Sequence, residues 1–170
     1  WVVCGYPERV VLMGQQDRAP SAPSRLYNSA MIINPSGELV STYRKVLLYD
    51  ADYAWAQPGR ERLIFETPFG RMAPGICMDL NDPSFVAHLI ADQVSVCAFC
   101  TNWVEEGVDV HPYWQSRLRG WGGWLVAANT WGEDCGTQFS GRSAILAPGG
   151  VVVASGPVDG DAVLLVDTEA

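Results

Sequence analysis

Apolar and polar residues alternate from Leu26 to Asn34 and again from Glu38 to Tyr43, on either side of Pro35-Ser36-Gly37. That period of two, broken by turn residues, predicts a β-hairpin. The pattern recurs where Leu63 to Glu66 and Met72 to Ile76 flank Pro68-Phe69-Gly70, and where Ala144 to Leu146 and Val151 to Ala154 flank Pro148-Gly149-Gly150. Val94 to Cys100 reads as a buried strand, Leu125 to Ala128 as another, and Val163 to Val166 as a last strand that closes the sheet. Two stretches leave this period. Asp82 is placed to cap a helix whose first residue is Pro83, and Phe85, Val86, Leu89 and Ile90 then repeat at helical spacing. Pro112 to Arg119 predicts a second helix. Strands alternating with helices able to cover a sheet define an α/β class, and no repeat, low-complexity tract or linker divides the chain.

Composition narrows the function. With 170 residues, 48% of them hydrophobic and 18% charged, the chain has material for one well-filled core. No run of about 18 apolar residues offers a membrane span, and no signal-peptide pattern opens the sequence, so a cytoplasmic protein is expected. Eleven basic against 19 acidic residues, a formal charge of −8, leave no clustered Lys and Arg for phosphate contacts, which excludes a nucleic-acid face. Five cysteines form an odd set without repeating spacing, which fits free thiols better than a disulfide framework. Cys97-Ala98-Phe99-Cys100 superficially resembles a metal or redox pair. On a strand, residues three apart point to opposite faces, and no second pair exists to complete a zinc site. His88 and His111 are too isolated to form a metal set.

The chemistry concentrates at Gly75-Ile76-Cys77-Met78-Asp79-Leu80-Asn81. A thiol at a strand end, followed by a turn and a helix, has unpaired backbone N–H groups beside it that can hold an oxyanion and favour a thiolate. Most free cysteines are small buried hydrophobes. Lys45, in Tyr43-Arg44-Lys45-Val46-Leu47-Leu48-Tyr49, tips the balance, because its flanks can bury the stem and aim the ammonium into a cleft.

These two segments, with Asp52 ahead of Pro58-Gly59 and the later run from Asn129 to Gly149, resemble the carbon–nitrogen hydrolase (nitrilase) superfamily over essentially the whole chain. Within it, the lysine and cysteine segments are most similar to the branch that deamidates N-terminal Asn and Gln of proteins. The resemblance implies an α-β-β-α sandwich and a catalytic set of Glu, Lys and Cys, usually supported by a second Glu. Lys45 matches the lysine, Cys77 the nucleophile, and Asp52 stands where the supporting Glu belongs. The first Glu, the general base, belongs to a segment N-terminal to the strand that Trp1 to Tyr6 resembles. Residues 1–170 are therefore expected to form a partial domain, incomplete at its N-terminus and inactive alone, with Glu8 a poor substitute. A further departure is Leu47, where the family often has His.

The implied mechanism is a thiol-dependent amide hydrolysis in which no metal and no organic cofactor has a role. Lys45 favours the thiolate and, with the Met78 backbone N–H, holds the oxyanion; acylation of Cys77 releases ammonia, and water then releases the acid. The resemblance also implies a small amide or a peptide N-terminus as substrate, and a homo-oligomer. Asn102, Trp103 and Trp131 are the expected substrate contacts, with Glu105 or Glu106 able to meet a cationic group and Glu133 near the rim. Asp79 reads as a structural carboxylate. Two alternatives stay open: a relative acting on a small aliphatic amide, an N-carbamoyl compound or a nitrile, and a non-catalytic homologue with an assembly role.

Overall fold

The architecture was obtained as a computed structural model, which describes residues 1–12 and 24–168. Strands β1 (Val2–Val11), β2 (Ser24–Ile33) and β3 (Leu39–Arg44) make an antiparallel three-stranded sheet in that order. A second sheet has six strands: β4 (Phe65–Thr67), β5 (Gly70–Ile76), β6 (Val96–Thr101), β7 (Trp124–Asn129), β10 (Ala144–Ala147) and β11 (Val151–Ser155), in spatial order β11-β10-β7-β6-β5-β4. Only β5, β6 and β7 run parallel, joined by the helices α1 (Pro83–Ala91) and α2 (Val110–Arg117). Their register sets Ile76 opposite Cys100, and Thr101 opposite Asn129. Three strands therefore end at one level, and ligands of parallel sheets bind outside such carboxyl ends.

Two cores hold the layers. Phe85, Leu89 and Trp114 pack with Cys97, Phe99, Leu125 and Leu146 between the helices and the six-stranded sheet. Ala30, Ile32 and Tyr43 meet Phe65 and Ile76 between the two sheets. The result is an α/β fold of the α-β-β-α sandwich kind, in which the described residues supply one helical layer and both sheets. Gly75 shows why the nucleophile segment needs its glycine. A Cβ there would lie 2.7 Å from the Phe85 ring and 3.2 Å from Phe99, inside a packed core.

The predicted hairpins form, and Asp82 caps α1 by accepting from the Ser84 N–H at 2.9 Å, with Pro83 leading the helix. Helix α2 begins at Val110 rather than Pro112, because Asp109 accepts from the His111 N–H and a proline in the first turn lacks no hydrogen bond the helix needs. Val163 to Val166 is not a strand. It pairs with neither sheet edge, and Val163 and Leu165 are 88% and 87% exposed, since apolar composition makes a strand only where an edge and a covering layer receive it. The hairpin of β8 (Trp131–Asp134) and β9 (Thr137–Ser140) was unanticipated, although Cys135 and Gly136 take positive φ (50° and 79°) at its turn.

Candidate active site

Cys77 leaves β5 with φ +45°, a left-handed conformation disfavoured for any residue with a Cβ, and opens a short 3-10 turn, Cys77–Asn81. The turn is held from below by Asp79. Its buried carboxylate accepts from the Ile76 N–H (3.0 Å), the Val46 and Leu47 N–H groups (3.1 and 3.0 Å), the Tyr43 hydroxyl (2.8 Å) and Arg62 (2.9 Å). One side chain thus ties the lysine segment to the nucleophile turn, the structural part expected of it. Burial pushes the Tyr43 hydroxyl far above its ordinary range, so it remains a donor.

Lys45 follows β3 and is 2% exposed. Its Nζ donates to Asp52 Oδ2 at 2.5 Å, and Asp52 also accepts from Asn28 (3.1 Å) and the Tyr49 N–H (2.9 Å). A short 3-10 turn, Asp50–Ala54, presents Asp52 at this depth. Lys45, Asp52 and Cys77 all line a cleft of about 940 Å³, with Thr101, Asn102 and Glu105. Burial pushes the Cys77 thiol up, and the Lys45 charge opposes it. The Thr101 hydroxyl and Asn102 N–H also favour the thiolate, whereas the Asp52 charge disfavours it. A thiol in this setting is a poor nucleophile until such donors act together.

A second cavity of about 220 Å³ also borders Cys77, lined by Met78, Asn102, Trp103, Glu106 and Tyr113 among others. Trp103 packs against Tyr113 at 5.5 Å and Trp114 at 5.9 Å between ring centroids, and Asn129 fixes its backbone by accepting from the Trp103 N–H at 2.9 Å. Asn102 accepts from the Thr130 hydroxyl at 2.5 Å. Of the expected substrate contacts, Asn102 and Trp103 thus border Cys77. Trp131 does not. It stands on β8, 44% exposed, donating to Asp161 at 3.0 Å, and lines neither cavity, whereas Thr137, Gln138 and Phe139 of the paired strand β9 border the larger one. Glu133 shares that strand.

The other cysteines are free. Cys97 is buried in the helical core, and Cys100 faces the opposite sheet, its Sγ 4.0 Å from the Val3 carbonyl, so the period of two does separate them. Burial pushes the Cys100 thiol up to about 11. Among the described residues, no group of His, Cys, Asp and Glu could hold a metal ion. Glu8 points to Arg44, which it meets at 2.7 Å through both carboxylate oxygens, and to the Ser29 hydroxyl at 2.8 Å. Sequence reasoning gave Thr101 no role beyond opening a loop of the pocket; the signal for one was its place at the carboxyl end of the strand beside the Cys77 strand.

Comparison with known proteins agrees with this geometry. The carbon–nitrogen hydrolase family model matches residues 1–169. A probable nitrilase of Schizosaccharomyces pombe is 30% identical over 150 residues, covering 84% of this chain and 53% of the relative. The protein N-terminal amidase of the same yeast is 27% identical over 161 residues, covering 72% and 56%. The chain spans about half the length of these curated relatives. Among solved structures, an amidase of Nesterenkonia sp. AN1 superposes with a TM-score of 0.77 at 22% identity, over 92% of this chain and 58% of that one, a likeness of fold. A variant of that amidase shows Michael addition of acrylamide at its active-site cysteine.

Proposed function

We propose, from the premise that this chain belongs to the carbon–nitrogen hydrolase family, that it carries the nucleophile of a thiol-dependent amidase. The observation that carries the reading is the cleft itself. A cysteine in a left-handed conformation shares it with a buried, ion-paired lysine, the arrangement an acyl-transfer site needs. Attack of the Cys77 sulfur on a carboxamide carbon forms a tetrahedral intermediate. Lys45 and the Met78 N–H stabilise its oxyanion, and ammonia leaves as the thioester forms. Water then attacks the thioester and restores the thiol. Asp52 holds Lys45 in place, and the family resemblance implies a glutamate as the proton carrier.

The charge of the cleft favours one substrate class. Among the described residues lining the two cavities the only cation is Lys45, already paired with Asp52, whereas Asp50, Glu105 and Glu106 add three carboxylates. Such a site attracts an ammonium and repels an ω-amide that bears its own carboxylate. N-terminal Asn or Gln of a peptide, which carries the α-ammonium beside the carboxamide, fits best. A cytoplasmic location accords with five free thiols, and an oligomer of this chain accords with the family resemblance.

Ammonia release by the full-length protein, rather than by residues 1–170 alone, from a peptide beginning with Asn, with and without N-acetylation, tests both halves. The free amine is expected to be preferred at least tenfold, and Glu106→Gln to reduce that preference. Cys77→Ala is expected to remove turnover while leaving the fold intact, and full activity in that variant overturns the proposal.

A further inference from the structure

Thr101 closes β6 one residue after Cys100, which pairs with Ile76 just before the nucleophile. The residue is 5% exposed, and its Oγ1 is wholly enclosed without a hydrogen-bond partner. An enclosed polar atom left unpaired lowers stability, and nearly all native ones are satisfied. Among the described residues, His88 Nε2 and Trp114 Nε1 share this condition. Thr101 alone of the three lines the cleft that contains Lys45 and Cys77.

Resting on the reading of Cys77 as the nucleophile, we infer that Thr101 is a catalytic donor whose hydroxyl hydrogen is reserved for the sulfur of Cys77 once that sulfur carries negative charge. A neutral thiol is a weak acceptor and leaves the hydroxyl idle. A thiolate is a strong one, and a charge-assisted bond then forms in a site sheltered from water. The neighbouring Asn102 N–H also favours the thiolate, so the charged form of the sulfur is supported from the end of β6 and the residue after it as well as by the Lys45 charge. The cost of the unpaired hydroxyl in the resting protein is the counterpart of that readiness, as expected where a site is kept for function at the expense of stability.

The test measures the sulfur itself and needs no turnover. Alkylation by iodoacetamide, in which the thiolate displaces iodide and forms one S–C bond, is followed at the Cys77 peptide by mass spectrometry from about pH 6 to 11, across the range of thiol ionisation. T101V removes the hydroxyl and keeps the shape; T101S keeps the donor. Loss of a hydrogen bond to a charged group is expected to move the midpoint of the T101V profile up by about one to two pH units and to slow alkylation near neutrality about ten- to a hundredfold. The same substitution is expected to raise Tm by about 2–4 °C, because an unpaired buried hydroxyl is gone. T101S is expected to follow the wild type in its pH profile. A T101V profile that coincides with the wild type, or a T101V protein that melts lower with an unmoved midpoint, overturns the inference and assigns the hydroxyl to the fold. Should the T101V midpoint move while Cys77→Ala retains amidase activity, the donor role stands and the nucleophile reading fails.

Discussion

Two carboxylates flank the Cys77 turn, and their surroundings differ in kind. Asp79, beneath it, accepts from three backbone N–H groups, a tyrosine hydroxyl and a guanidinium, and is fully enclosed. Asp52, above it, is tied to Lys45, Asn28 and the Tyr49 N–H but opens on the large cleft, where Thr101 keeps an unpaired hydroxyl and Cys77 a left-handed backbone. The lower region has closed its polar network and serves as a foundation. The upper one keeps an unsatisfied hydroxyl and a strained backbone, both on residues that line the cleft where a substrate would sit.

Replacing Asp79 should separate the two regions most sharply. Asp79→Asn leaves Arg62 with Asp82 as its one carboxylate partner and gives the buried donors only one acceptor oxygen, so a loss of about 3–5 kcal/mol is expected in denaturant unfolding. No second substitution is expected to rescue it, because three of its donors are backbone. The upper pair should behave otherwise. Asp52→Asn alone strands a buried ammonium and is expected to cost about 3 kcal/mol, whereas adding Lys45→Met should recover most of that stability while Cys77 stays unreactive. A double variant as unstable as the single one would make the cleft pair structural too, and the contrast would disappear.

The smallest effect sharpens the comparison from outside both regions. Glu8 lies away from the cleft, and the Arg44 hydrogen bonds hold its carboxyl below the usual range despite partial burial. A depressed folded-state value means stability that is fully present above the ordinary carboxylate range and is lost as pH falls through the lowered value. Glu8→Gln should therefore cost about 1 kcal/mol near neutrality, and the difference from the wild type should vanish under acid, with amidase activity little changed. A large activity loss at constant stability would move Glu8 into the site.

The hairpins, α1 and the union of Lys45 with Cys77 were legible because each rests on local signals: period, turn residues, a cap, or a motif. Asp79 was legible as structural because it follows a strand end, although its five donors were not, since Val46, Leu47 and Arg62 arrive only through the fold. Thr101 had no role legible in the sequence because a threonine opening a loop after a buried strand is unremarkable; its meaning comes from the register of β6 with β5. Trp131 and Val163–Val166 misled for the opposite reason. Their composition suited a pocket wall and a strand, but neighbouring chain decided, through a β-turn in one case and the lack of an edge to join in the other.

The backbone angle at Cys77 also limits which nucleophiles this turn can host. Three hydroxyl or thiol residues are competent attackers of a carbonyl in principle, yet at φ +45° a β-branched side chain would crowd its own main chain. Threonine is thereby shut out on steric grounds before reactivity is considered, leaving cysteine and serine as the chemistries open to any descendant of this turn. Glycine would relax the turn and abolish attack, so the most comfortable residue for this backbone is a silent one.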